Sequence, residues 1–181
     1  MIFRPTAIPD AWIVEPERHA DSRGFFARAW CAAEFRAHGL SADLAQLSIS
    51  HNVRRGTLRG LHYQAAPHQE AKLVRCTRGA VFDVVLDLRP ASPTFTRHIA
   101  VQLDAENRLG LYVPEGCAHG FQTLTDDTEV LYQISVGYVP EAARGVRWDD
   151  PAFAIPWPPA ERIMADRDRV YPDFSLEAVV R

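Results

Sequence analysis

Apolar and polar positions alternate along this chain in short runs punctuated by turn residues, a pattern of strands rather than of long helices. Ten segments read as strands: Ala11–Val14, Gly24–Trp30, Gln46–Asn52, Thr57–Gln64, Lys72–Thr77, Ala80–Leu88, Phe95–Leu103, Leu109–Val113, His119–Leu124 and Glu129–Tyr138. Two stretches read as helical, Cys31–His38 ahead of Gly39, and Ser175–Val180 with Ser175 as its N-cap. The strictest alternation places Phe82, Val84, Leu86 and Leu88 on one face and Asp83, Asp87 and Arg89 on the other, which predicts one core face and one partly wet face. In the last strand Val130, Tyr132, Ile134, Val136 and Tyr138 share a face, so both tyrosines point with the apolar residues, where a phenol needs a partner. Arg78-Gly79, Asp104–Asn107 and Asp126-Asp127 read as hairpin turns. So many short strands predict a sandwich or a small barrel with a ligand in its mouth.

Composition narrows the choice of partner. With 20 Lys+Arg against 23 Asp+Glu the net charge is −3, and no basic stripe is present for nucleic acid, although a few arginines suffice for a small phosphorylated molecule. No apolar run reaches the roughly 18 residues of a membrane span, and the N-terminal segment lacks the pattern of a secretory signal, so no membrane partner and a cytoplasmic location are expected. Cys31, Cys76 and Cys117 are odd in number and far apart, which reads as reduced thiols.

Two segments carry chemistry. Thr57–Gln64, followed by Glu70 and Lys72, gathers an anion clamp in Arg59, a base in His62 and a cation in Lys72. Strict alternation sends Arg59 and His62 to opposite faces unless Gly60 marks a bulge. The plain alternative is that Arg59 and Lys72 are surface charges and His62 a hydrogen-bonded strand residue. The second segment, Gly110–Phe121 with Pro114, Gly116 and His119, resembles the second motif of cupins. Metal-binding cupins add an HxH motif, whereas here His62 is followed by Tyr63 and Gln64, so no metal is expected; a ligand set of His62, His68, Glu70 and His119 stays open as the alternative.

Taken with Asp21–Phe26, Leu58–Gln64, Lys72–Cys76, Asp87–Arg89, Ser92–Phe95, Pro114–Phe121, Trp148–Pro151 and Ile155–Pro158, the chain resembles the dTDP-4-dehydrorhamnose 3,5-epimerase family, metal-independent cupin-like enzymes acting on nucleotide-linked 4-keto-6-deoxy sugars. The resemblance implies an all-β, cupin-type jelly-roll sandwich with short peripheral helices. It implies one epimerase domain over residues 1–181, divided into an N-terminal arm (1–45), a jelly-roll core (46–140) and a C-terminal segment (141–181). No cofactor is expected, the substrate is a nucleotide-diphospho-sugar, and the chain is expected to be a homodimer exchanging N-terminal strands.

By the same resemblance His62 is the base, Asp168 orients its ring, Lys72 meets the developing enolate, and Tyr132 returns a proton from the other side of the sugar. Asp166 is a rival to Asp168, and Tyr132 has a plain reading as a core aromatic. Arg23 and Arg59 match diphosphate-contacting positions, His119 a ligand-contacting one and Tyr138 one near the base or sugar. Three positions depart: Arg28 replaces a Glu, and Leu47 and Ile49 align with a Gln-x-Asn pair that reads the nucleotide, where sliding by one residue restores Gln46 but not the Asn. These departures keep open an epimerase of one carbon only, or one taking a CDP- or GDP-sugar. A non-catalytic or metal-binding cupin is the alternative from another class.

Overall fold

Thirteen strands form in the computed structural model, which describes residues 1–176: β1 (Ile2–Pro5), β2 (Trp12–Glu15), β3 (Arg18–Asp21), β4 (Gly24–Ala27), β5 (Gln46–Asn52), β6 (Leu58–Gln64), β7 (Lys72–Arg78), β8 (Ala80–Asp87), β9 (His98–Asp104), β10 (Gly110–Val113), β11 (Cys117–Thr123), β12 (Thr128–Ile134) and β13 (Ala143–Gly145). Helix α1 spans Ala32–Ala37 and α2 spans Asp166–Arg169. Of the helix expected at Ser175–Val180, residues 177–180 lie outside the described residues. Among the described residues, no helix is long and apolar enough to cross a membrane.

The strands make an antiparallel six-stranded sheet, β1-β2-β10-β7-β12-β5, and a five-stranded sheet, β13-β6-β11-β8-β9, with β3-β4 as a separate hairpin. This is the sandwich that the pattern predicts and the jelly roll that the resemblance implies. The three turns read as hairpins join different sheets instead: Arg78-Gly79 leads from β7 to β8, Asp104–Asn107 from β9 to β10, and Asp126-Asp127 from β11 to β12. A tight turn has the same residue chemistry whether its two strands pair or part, so local sequence does not separate the cases.

Three apolar layers follow from the two-residue period. Between the sheets lie Val74, Cys76, Val81, Val85, Leu103, Leu111, Phe121 and Val130, all buried. On the outer face of the five-stranded sheet Leu58, Leu61, Val84, Leu86 and Leu88 are covered by Val146, Phe153 and Trp157 of the C-terminal segment. On the outer face of the six-stranded sheet α1 lays Phe35 over Val14, Leu73 and Tyr112. The face of β8 expected to be partly wet is therefore interior: Asp83 and Asp87 are both 0% exposed, while Val84, Leu86 and Leu88 point outward under a cover supplied from far along the chain. Both faces of β8 are buried, and alternation alone does not tell which one meets the second sheet.

Buried Asp87 closes the end of β8. Its oxygens accept from Arg89 Nε and Nη2 (both 2.9 Å) and from the hydroxyls of Ser92 and Thr94 (both 2.6 Å). Burial works to raise this carboxyl, but those donors outweigh it and hold it at about 2. A carboxyl depressed on folding adds stability above its unfolded value and loses it as pH falls through the folded one. The depression corresponds to about 2 kcal/mol. Asp87→Asn is expected to lose at least that much at pH 7 in chemical denaturation, with the gap to the parent closing as pH falls from about 4 towards 2. A gap that does not change with pH would show that the charge of Asp87 is immaterial.

Candidate active site

One cavity of about 800 Å³ opens between the sheets, lined by β5, β6, β7, β11 and β12 and closed on one side by the C-terminal segment from Ile163 to Tyr171. Of the sequence-predicted residues it gathers His62, Tyr132, Asp168, Lys72, Arg59, His119 and Tyr138. Arg23 is elsewhere. It sits in the β3-β4 turn, 88% exposed, with its guanidinium on Asp21 at 2.6 Å.

The predicted bulge is what brings Arg59 and His62 to one face. His119 of β11 pairs with His62 and Phe121 pairs with Arg59, so three steps on β6 oppose two on β11. Gly60 has φ +132°, and a Cβ there would lie 2.5 Å from the Cα of Gly120, an approach that only two glycines permit. Leu58 and Leu61 consequently face the outer core while Arg59 and His62 face the cavity.

His62 and Asp168 form the first polar unit. His62 Nε2 meets Asp168 Oδ1 at 2.8 Å, and Asp168 Oδ2 accepts the backbone N–H of Gly60 at 3.4 Å. Asp168 is 2% exposed whereas its rival Asp166 is exposed, because the single turn of α2 points one of the two inward. Burial works to raise the Asp168 carboxyl, but the bond from His62, that residue's charge, the Gly60 N–H and Arg167 together hold it below the usual range. An ionised Asp168 requires a proton on Nε2, so in the neutral ring Nδ1 of His62 is the atom with a free lone pair.

The second unit stands on the opposite sheet. Tyr132 is carried by β12, and burial, reinforced by the charge of Asp83 and opposed by Arg59, pushes its phenol far above the ordinary tyrosine value. It is a proton donor throughout the neutral range. The ring of His119 meets it edge-on at 6.0 Å, and His119 Nε2 is bound to buried Asp83 Oδ1 at 2.7 Å. His119 thus lines the cavity with one nitrogen already committed. Tyr138 lies beyond the end of β12, 57% exposed at the rim.

A third group is cationic. Lys72 on β7 is 9% exposed and pairs in register with Ile134, one inward position along β12 from Tyr132. Arg144 and Arg167 join Arg59 on the cavity wall, and neither was singled out from sequence. Arg59 donates to Asn52 Oδ1 (2.8 Å) and Arg144 to the carbonyls of Glu141 (2.8 Å) and Ala143 (3.0 Å), so neutral acceptors aim both guanidiniums without spending their charge. Tyr171, the other addition, packs on Gly145, where a side chain would occupy its ring, and stands edge-on to His62 at 6.4 Å. Arg144 and Tyr171 lie in segments whose sequence carries no motif, and Arg167, although it stands between the two candidate aspartates, is revealed only by tertiary contact.

The departures on β5 take a different meaning in three dimensions. Leu47 and Ile49 are 61% and 64% exposed, and the cavity is lined from this strand by Ser48 and Ser50. Ser48 is the register partner of Tyr132. The polar row is therefore the one reached by sliding the segment one residue, and the two apolar side chains project from the other face. Arg28, the remaining departure, pairs with Glu34 at 2.9 Å on the surface.

No three His, Cys, Asp or Glu side chains gather as a metal-binding set among the described residues. What the cavity does hold is an imidazole polarised by a buried carboxylate, a protonated phenol on the facing wall, an ammonium beside it and guanidiniums for an anion. That set suits proton removal and return at a carbon next to a carbonyl on a phosphorylated molecule.

Comparison with known proteins agrees with this chemistry. A sequence model described as dTDP-4-dehydrorhamnose 3,5-epimerase matches residues 5–175. The dTDP-4-dehydrorhamnose 3,5-epimerase of Shigella flexneri is 42% identical over 164 residues, covering 90% of this chain and 90% of that protein. The crystal structure of the Bacillus anthracis str. Ames enzyme of the same name, with TDP and PPi bound, superposes with a TM-score of 0.92 at 38% identity, covering 96% of this chain and 99% of that one. A 3'-monoepimerase from Streptomyces bikiniensis, solved with dTDP-quinovose, gives a TM-score of 0.87 at 39% identity over 93% of this chain and 86% of that one.

Gly60→Ala tests the bulge. The positive φ and the collision with Gly120 are expected to lower stability by at least about 2 kcal/mol in urea denaturation and to pull the segment bearing His62 away from Asp168. A variant as stable as the parent would show that the close approach of β6 and β11 is not required.

Proposed function

The chain belongs to the dTDP-4-dehydrorhamnose 3,5-epimerase family, and from that premise we propose that it inverts carbons 3 and 5 of a nucleotide-diphospho-4-keto-6-deoxyhexose. The specific conversion is dTDP-4-dehydro-6-deoxyglucose to dTDP-4-dehydrorhamnose, a step of deoxysugar and polysaccharide biosynthesis, and the enzyme is an isomerase. The observation that carries this reading is the arrangement of His62 and Tyr132 on facing sheets of one cavity.

A hydrogen next to a ketone is acidic because the charge left behind spreads onto the carbonyl oxygen. Nδ1 of His62 takes that proton, and Asp168 stabilises the imidazolium that results. The charge grows on the 4-keto oxygen, where Lys72 meets it. Tyr132 delivers its proton to the same carbon from the opposite wall, so the centre inverts. The hydroxyl then regains a proton from solvent and His62 releases its own, which closes the balance. Arg59, Arg144 and Arg167 hold the diphosphate, with paired N–H groups on phosphate oxygens. Ser48 and Ser50 supply hydroxyls toward the bound molecule.

A homodimer is part of the same reading. The β3-β4 hairpin carries Phe25 and Phe26, 42% and 73% exposed, and leans on the turn after β9 through the bond from Arg18 to the Glu106 carbonyl (2.6 Å) and through Arg108 over the Phe25 ring. Exposed aromatics on a short hairpin support an arm that covers a second copy and delivers Arg23 there.

The similarity to a 3'-monoepimerase keeps a second reading, inversion of carbon 3 alone. Purified protein incubated with dTDP-, CDP- and GDP-linked 4-keto-6-deoxyglucose and followed by NMR separates these. The expected result is double inversion of the dTDP sugar; turnover of another nucleotide or of one carbon supports the narrower alternatives, and no turnover of any contradicts the proposal. His62→Asn is expected to lower kcat by about a thousandfold or more, and Asp168→Asn by about a hundred- to ten-thousandfold. Parent-like kcat in His62→Asn would remove the base.

A further inference from the structure

Lys72 does not face the cavity alone. Its Nζ lies 2.6 Å from Glu70 Oε1, with both side chains only 10% exposed and both residues on the cavity wall. Glu70 precedes β7 by two residues, so the period of the strand aims both side chains inward. The backbone between them is pinned: the Ala71 N–H donates to Ser135 Oγ at 2.9 Å, and the Ser135 N–H donates to the Ala71 carbonyl at 3.0 Å. The carboxylate is thus presented from a fixed backbone, whereas the ammonium rides on a flexible four-carbon stem.

The geometry points to Glu70 as a positioning residue for Lys72, holding its ammonium at the sugar end of the cavity. This inference rests on the reading of Lys72 as the group that meets the enolate oxygen. Without Glu70, the most attractive partner for a mobile ammonium in the loaded site is the substrate diphosphate, where Arg59, Arg144 and Arg167 already stand. Lysine bound there would add to substrate affinity equally before and during reaction and would contribute nothing to the barrier. Glu70 neutralises the ammonium from one side and leaves its remaining N–H groups to point at the developing charge. The pair also brings a net charge of zero into a half-closed site, so the ammonium is buried without an unpaired carboxylate or an unpaired cation.

A double-mutant cycle tests this. Glu70→Ala is expected to lower kcat by about ten- to a hundredfold with KM level or reduced, and Lys72→Ala to lower kcat by about a hundredfold or more. The double variant is expected to be no slower than Lys72→Ala, because Glu70 acts through Lys72. Glu70→Gln keeps an acceptor in the same place and is expected to recover most of the kcat lost in Glu70→Ala; should Glu70→Ala not fold, Glu70→Leu, which fills the space without an acceptor, carries the cycle. Parent-like kcat in Glu70→Ala beside an impaired Lys72→Ala would overturn the inference while leaving the mechanism intact. Losses that multiply in the double variant would overturn it too. Parent-like kcat in Lys72→Ala would instead strike the mechanism beneath it.

Discussion

One extra residue in β6 sets the site. Regular antiparallel pairing would send Arg59 to the cavity and His62 into the outer core, or the reverse. Because the segment from Arg59 to His62 opposes only His119 to Phe121, both polar side chains enter the same hollow. The bulge needs Gly60 in a left-handed conformation against Gly120, and it frees a backbone N–H that Asp168 accepts. The carboxylate that orients the His62 ring is thus also the group that satisfies the irregular backbone beneath it. Strand geometry and ring orientation share one anchor.

The sandwich then separates the proposed reacting groups by sheet. His62 comes from the five-stranded sheet, Tyr132 and Lys72 from the six-stranded one. A molecule lying between the sheets is met on two faces. Electrostatics shapes the cavity as well. Burial and Asp83 keep Tyr132 protonated, Glu70 and Lys72 make a neutral pair near it, and the guanidiniums of Arg59 and Arg144 keep their full charge by resting on neutral oxygens.

Much of the fold was legible because alternation survives in strands such as β5 and β8, whose limits at Gln46–Asn52 and Ala80–Asp87 follow the pattern closely. The short strands β1, β3 and β13 carry three or four residues each, too few for a period to emerge, and β13 exists by pairing with β6. The facing of β8 was reversed because a C-terminal cover makes both its faces dry, which no local signal announces. Within the site, the residues in dense motifs were found, and Asp168 came to attention through a family pattern that α2 explains by burying one carboxylate of two. Arg144 in the three-residue β13, Arg167 in the single turn of α2 and Tyr171 in an irregular segment carry no periodic signal. The register of β5 was settled only by its pairing with β12, which turned Leu47 and Ile49 outward.

The central claim is that base and acid act from opposite walls, and the Tyr132→Phe variant in deuterated water addresses it most directly. With the base intact and the facing donor removed, His62 takes a proton and returns a deuteron to the same face. The account predicts label at the carbon next to the ketone with its configuration retained, in a substrate pool that no longer inverts. Inversion by Tyr132→Phe at the parent rate would contradict it.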